Sequence, residues 1–149
     1  ARPTDRAFQL LNALGNETVR VEGSHETADA WMVRKERRLT VLLTNHALPR
    51  HPIKTELLRI HLRESPKVPP GTTYIERIDD NHANPKALWR EMGEPKYLSD
   101  LQVKQLQAAS CLIKEPVAVQ SLDRRLYIDV DLPPHSVAAL NLEFERGGN

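Results

Sequence analysis

Cysteine is almost missing from this chain: among 149 residues there is one, Cys111. A single thiol excludes an internal disulfide framework and suits a reducing compartment. Aromatic residues are scarce at 5%, which speaks against a polysaccharide-gripping surface built from several ring platforms. Both tryptophans have structural readings, Trp31 in a strand and Trp89 on the packed face of a short helix. Charge of one sign is also lacking, with 21 Lys and Arg against 20 Asp and Glu and a formal net charge of +1. That balance gives no basic surface for nucleic acid or membrane. No apolar run approaches the ~20 residues of a membrane span, and no signal-peptide pattern opens the chain. A cytoplasmic rather than secreted location is expected, so the sequon Asn16-Glu17-Thr18 is read as chance. The nucleophile elbow G-x-S-x-G, a glycine-rich phosphate loop and H-E-x-x-H are all absent.

What is present is a helix followed by short alternating segments. Residues 2–15 read as one helix, with Thr4 as N-cap, Asp5 at the positive end of the dipole and Gly15 in a left-handed position past the end. Phe8, Leu11 and Leu14, with Leu10 beside them, form an apolar stripe at helical spacing, and no nearby segment is built to receive it. After Gly15 the period changes to two. Segments 18–22, 30–35, 39–44, 55–64 and 72–78 read as strands, with Leu58, Ile60 and Leu62 facing one way and Arg59, His61 and Arg63 the other. The basic run Arg34 to Arg38 falls between two of them as a solvated hairpin turn. Near the end Leu126, Ile128, Val130 and Leu132 alternate with polar residues. A Pro-Pro-His turn then leads to Ala138, Leu140, Leu142 and Phe144 on one face. Seven or eight strands with proline-rich turns predict a mainly β fold, an antiparallel two-sheet β-sandwich. Two helices interrupt it at about 84–110. Asn84 caps the first, with Pro85 at its first position and Gly93 closing it. Ser99 and Gln102 form a capping box for the second, flanked by Leu98 and Val103 as a hydrophobic staple.

Between strand and helices lies the cluster Asp79, Asp80, Asn81 and His82. As a calcium loop opened at Asp80 it would place His82 and Asn84 at the third and fifth positions and Glu91 at the twelfth. Pro85 would then stand where the turn needs glycine. His46 and His51 have finger-like spacing, but one cysteine cannot complete the usual zinc set. No metal site and no cofactor is expected. Cys111, among Ala108, Ala109, Leu112 and Ile113, reads as a small buried core thiol rather than a nucleophile. Residues alone thus predict a sandwich without visible chemistry.

The segment from Arg77 to Ser110 is more specific. Its order is an acidic pair, Asn and His, Asn-Pro, a Trp-containing helix, Met-Gly-Glu-Pro-Lys-Tyr, and a second helix ending in Ala-Ser. This run resembles the corresponding segment of glycoside hydrolase family 39, which contains bacterial β-xylosidases and α-L-iduronidase. Residues 2–15 resemble the last helix of that family's (β/α)8 barrel, and residues 130–144 resemble strands closing its β-sandwich.

The resemblance implies that residues 1–15 are the terminal helix of a catalytic barrel absent from this sequence. Residues 16–149 would be the accessory sandwich, with a helical insertion. Family members hydrolyse glycosidic bonds with retention, using two glutamates about 5–5.5 Å apart; one lies in an Asn-Glu-Pro motif. That motif is missing here, and Gly93-Glu94-Pro95 belongs to the insertion, so no catalytic residue is assigned and the chain alone is expected to be inactive. The implied partners are an upstream barrel and, through it, a small saccharide substrate; contacts between copies in a homo-oligomer are a further expectation. Phe8, Leu11 and Leu14 are expected to face the barrel. For Asp79, Asp80, Asn81 and His82 two readings stay open: hydrogen-bonded turns leading into the helix cap, or a substrate-proximal loop that helps to wall the sugar site. A free-standing sandwich that binds carbohydrate or protein is the alternative to the accessory role. The chain begins at Ala1 rather than methionine, as removal of an initiator methionine or a cut inside a longer protein would leave it.

Overall fold

The structure is a computed structural model and describes residues 3–12, 14–15, 17–63 and 67–145. The helix α1 (Pro3–Asn12) comes first, followed by strands β1 (Glu17–Val19), β2 (Ala28–Lys35), β3 (Arg38–Asn45), β4 (Glu56–Leu62) and β5 (Tyr74–Ile78). Helices α2 (Pro85–Glu91) and α3 (Asp100–Ala109) interrupt the strands. Then come β6 (Glu115–Pro116), β7 (Gln120–Leu122), β8 (Arg125–Leu132) and β9 (Ser136–Glu143). All pairings are antiparallel and form a six-stranded sheet, β1-β2-β3-β9-β5-β6, and a three-stranded one, β4-β8-β7. The predicted sandwich is present. The pairs β5–β6 and β7–β8 use two very short strands that the sequence pattern misses, because two or three residues are too few to show a period.

The core lies between the sheets. Leu126, Ile128, Val130 and Leu132 of β8 meet Val41, Leu43, Ala138, Leu140 and Leu142 from β3 and β9. The alternation read along 58–62, 126–132 and 138–144 is the one that buries these residues. Asn45, fully buried, donates from its side-chain nitrogen to the carbonyls of Lys54 (2.8 Å) and Leu132 (2.9 Å). These bonds from the amide nitrogen tie β3 to the segment before β4 and to the β8–β9 turn, while the amide oxygen is buried without a partner among the described residues.

The outer face of the large sheet carries a second, smaller apolar cluster. Leu10 of α1 is buried there against Leu42 and Ala139, with Leu14, Ile78, Leu112 and Val137 around it. Of the expected stripe, Leu14 joins this patch, Leu11 remains 48% exposed, and the side chain of Phe8 lies outside the described residues. Thr4 falls within the helix, which starts at Pro3, so it is not the N-cap. Gly15 is also corrected: its φ is not left-handed. Glycine is required there by space, since a Cβ would collide with the Arg34 carbonyl at the end of β2.

Candidate functional site

The 79–84 loop is shaped by its own hydrogen bonds. Leaving β5, Asp79 accepts the Asn81 N–H at 2.8 Å through its carboxylate, an Asx-type turn. The Asp79 and His82 backbones exchange two N–H···O bonds, at 3.1 and 3.4 Å. Ala83 then takes a left-handed φ of 53° and is buried; a β-carbon in that region costs conformational energy. Asn84 follows as the N-cap of α2, its side-chain oxygen accepting from Lys86 N–H and its Nδ2 donating to the Asp80 carbonyl. Gly93, at φ 86°, closes that helix, and the Trp89 indole N–H donates to the Pro95 carbonyl. The Ser99–Gln102 capping box starts α3 as expected. Leu98 and Val103 beside it both stay exposed.

A histidine bridge fastens the loop to the sheet. His82 Nδ1 lies 2.7 Å from Asp79 Oδ1, and its Nε2 lies 3.1 Å from Glu115 Oε1 in β6. A neutral imidazole has one N–H donor, so only the imidazolium fills both contacts. The Asp79 side chain is 2% exposed, and its second oxygen is buried without a partner among the described residues. Asp79 is therefore a structural anchor beneath the loop, not a group open to a ligand.

The loop forms one wall of a cleft of about 300 Å³. Asp80, Asn81, His82 and Asn84 line the polar side with Arg77 and Glu91; Ala87 and Leu88 of α2, Ala108 and Ala109 of α3, and Ile113 line the apolar side. Arg77 is held by the Asp131 carbonyl at 2.6 Å. Arg6 of α1 donates to the Ser110 carbonyl at 2.7 Å and so joins the first helix to the end of α3. Cys111 also lines the cleft and is exposed, which corrects the expectation of a buried thiol. It sits just past the end of α3, where the chain turns away, with Sγ 3.4 Å from the Gln107 carbonyl and 3.6 Å from an Arg6 nitrogen. Trp31 keeps its place in β2, but half of its surface is exposed.

The structure thus brings Asp80, Asn81 and His82 to one cleft and places Asp79 below it. The sequence gives no local sign of Glu115 as partner of His82, 33 residues away, or of Arg6 at Ser110. Among the described residues no three His, Cys, Asp or Glu side chains are grouped to hold a metal ion, and no helix is long and apolar enough to cross a membrane. The cleft offers amide, carbonyl and carboxylate groups beside an apolar wall, which suits a small polar molecule with one apolar face.

Comparison with known proteins gives a consistent picture. The sequence model of glycosyl hydrolases family 39 matches residues 1–124. A β-xylosidase from Caldicellulosiruptor saccharolyticus is 35% identical over 145 residues, covering 95% of this chain and 29% of that protein. The crystal structure of a family 39 enzyme from Xanthomonas axonopodis pv. citri superposes with a TM-score of 0.68 at 22% identity, over 94% of this chain and 30% of that one. A bacterial orthologue of human α-L-iduronidase superposes with a TM-score of 0.70 at 19% identity, over 98% of this chain and 28% of that one. The chain spans about three tenths of the length of these relatives. A match over most of its residues, in sequence and in fold, establishes that this chain belongs to glycosyl hydrolases family 39.

Proposed function

We propose that this chain is the accessory β-sandwich region of a retaining, β-xylosidase-like glycosidase, carries no catalytic carboxylate and supports a (β/α)8 barrel. The observation that carries the proposal is the disproportion in coverage. Between 93% and 98% of this chain is matched by 27–30% of the solved relatives, and what is matched is the sandwich with its helical insertion and α1. In this reading residues 1–15 are the barrel's terminal helix, residues 16–149 are the sandwich, and the setting is cytoplasmic. Leu11, the exposed member of the expected stripe on α1, faces the barrel. The short Asp80–Asn81–His82 wall helps to close the sugar site, while Asp79 holds that wall in place.

The test is hydrolysis of an aryl β-xyloside by the 149-residue chain and by a longer protein that joins it to the preceding barrel. The expected result is turnover by the longer protein alone, with Asp80→Ala raising its KM. Turnover by the chain itself overturns the accessory role. Tight oligosaccharide binding by the chain alone would favour a free-standing binding module instead.

A further inference from the structure

The two ends of the His82 bridge are unequal. At Nδ1 a hydrogen bond of 2.7 Å joins the ring to Asp79 Oδ1, whereas at Nε2 the ring and Glu115 Oε1 meet at 3.1 Å as an ion pair. The Asp79 side chain is 2% exposed and that of Glu115 is 42% exposed. Asp79 Oδ1 also accepts the Asn81 N–H, and the Asp79 and His82 backbones are bonded to each other. Asp79 is therefore fixed in place. Glu115 stands on β6, an edge strand of two residues paired with Tyr74 and Ile75 of β5. Its neighbour Pro116 has no N–H to give to that ladder. The next backbone donor, Val117 N–H, reaches the Thr73 carbonyl at 3.1 Å. With so few backbone bonds, the side-chain bridge bears directly on how firmly this edge is held.

Only an imidazolium carries N–H groups on both ring nitrogens, and histidine side chains exchange the second proton with water between about pH 5 and 8. When that proton leaves, one nitrogen must present a lone pair to a carboxylate oxygen. At Nδ1 the repulsion would be buried against Asp79, out of reach of water. At Nε2 it faces a carboxylate that can swing into solvent. The neutral ring therefore keeps its hydrogen on Nδ1 and gives up Glu115. The other charged or titratable groups of this cleft are Arg77 of β5, Asp80 of the loop, Glu91 of α2 and Cys111 past α3. Arg77 is taken up by Asp131, and none of the four makes a hydrogen bond or ion pair with His82 among the described residues. Lys114, next to Glu115, holds its ammonium over the Tyr74 ring at 4.8 Å.

We propose that His82 is a proton-operated latch on the cleft. The protonated ring joins the polar wall at 79–84 to β6, and loss of the Nε2 proton to water frees Glu115 while the bond to Asp79 stays. The segment 111–115, which brings Cys111 and Ile113 to the same cleft, is then free to move away from the wall, so the cleft loosens as pH rises. That this loosening regulates a sugar site rests on the proposed function, whereas the latch itself rests on the bridge alone. The experiment is an NMR pH series from 5.5 to 8.5 on the 149-residue chain, reading the His82 ring nitrogens together with backbone amide exchange. Above its transition the His82 ring is expected to hold its hydrogen on Nδ1. Exchange at Val117, corrected for the intrinsic effect of pH, is expected to quicken at least threefold across the same transition, while the Asn81 amide keeps its protection. Glu115→Ala is expected to make Val117 exchange fast at every pH, and His82→Gln to remove its pH dependence. A neutral ring with its hydrogen on Nε2, Val117 exchange that ignores the His82 transition, or a pH dependence that survives Glu115→Ala overturns the latch. All of this is read on the chain itself, so a longer protein without glycosidase activity would sink the proposed function and leave the latch standing.

Discussion

Replacing Asp79 by alanine tests whether one buried carboxylate holds the cleft wall. Its Oδ1 accepts from Asn81 N–H at 2.8 Å and lies 2.7 Å from His82 Nδ1. A hydrogen bond to a charged group contributes about 1.5–3 kcal/mol. The first contact counts nearly in full, because the Asp79 side chain is 2% exposed. The second counts about half, because His82 is 35% exposed and water competes for it. Against these stands the partnerless Oδ2, whose removal returns about 1 kcal/mol of desolvation cost. The net expectation is a loss of about 2 kcal/mol. With a urea slope of about 2 kcal/mol/M, the unfolding midpoint falls by about 1 M. Asp80 is exposed and lends the loop only its backbone carbonyl, so Asp80→Ala is expected to stay within about 0.5 kcal/mol. The readout is urea unfolding of the two variants beside the parent chain. Equal midpoints for Asp79→Ala and Asp80→Ala would refute the anchoring role.

Three further outcomes are expected. Gly15→Ala forces its β-carbon onto the Arg34 carbonyl, a backbone atom that cannot swing aside; a loss of about 2 kcal/mol in chemical unfolding is expected, and a neutral effect would mean the approach is looser than described. Ser99→Ala removes the N-cap bond to Gln102 N–H and should cost about 1 kcal/mol, visible as faster amide exchange in the first turn of α3 before any global change. The Arg59 guanidinium, hydrogen-bonded to Asp129 at 2.8 Å, holds that carboxyl below its ordinary 3.8. The favourable contribution is present above the unfolded value and is lost as pH falls through the lowered folded one. Arg59→Gln should return the Asp129 titration toward 3.8 in an NMR pH series, and an unmoved titration refutes the assignment.

The sheets were legible because alternation over seven or eight residues has one physical solution. Leu126, Ile128, Val130 and Leu132 can be buried together only in a strand. The caps at Asn84 and Ser99 were legible for a similar reason, since side chain and backbone donor lie within three residues of each other. The bridge from His82 to Glu115 was not, because its partners meet only after the helical insertion has folded. Cys111 misled for the opposite reason: its apolar neighbours in sequence suggest burial, but the chain turns outward at that point. Gly15 read as a conformational glycine and is a steric one, a distinction that appears only with the strand it touches.

The order of the large sheet carries a consequence for synthesis. Strand β9 lies between β3 and β5, pairing Leu43 with Ala138 on one side and Ile75 with Leu140 on the other. The middle of that sheet is therefore supplied by the last strand the ribosome makes among the nine. Until residues 136–143 emerge, β1–β3 and β5 are two half-sheets with open edges and no common core, and a nascent chain must keep them apart from other copies. Closure then depends on contacts almost a hundred residues distant in the chain, which predicts slow folding that waits for β9 rather than stepwise folding as each strand is made. A stop codon anywhere in β9 would leave the halves unjoined.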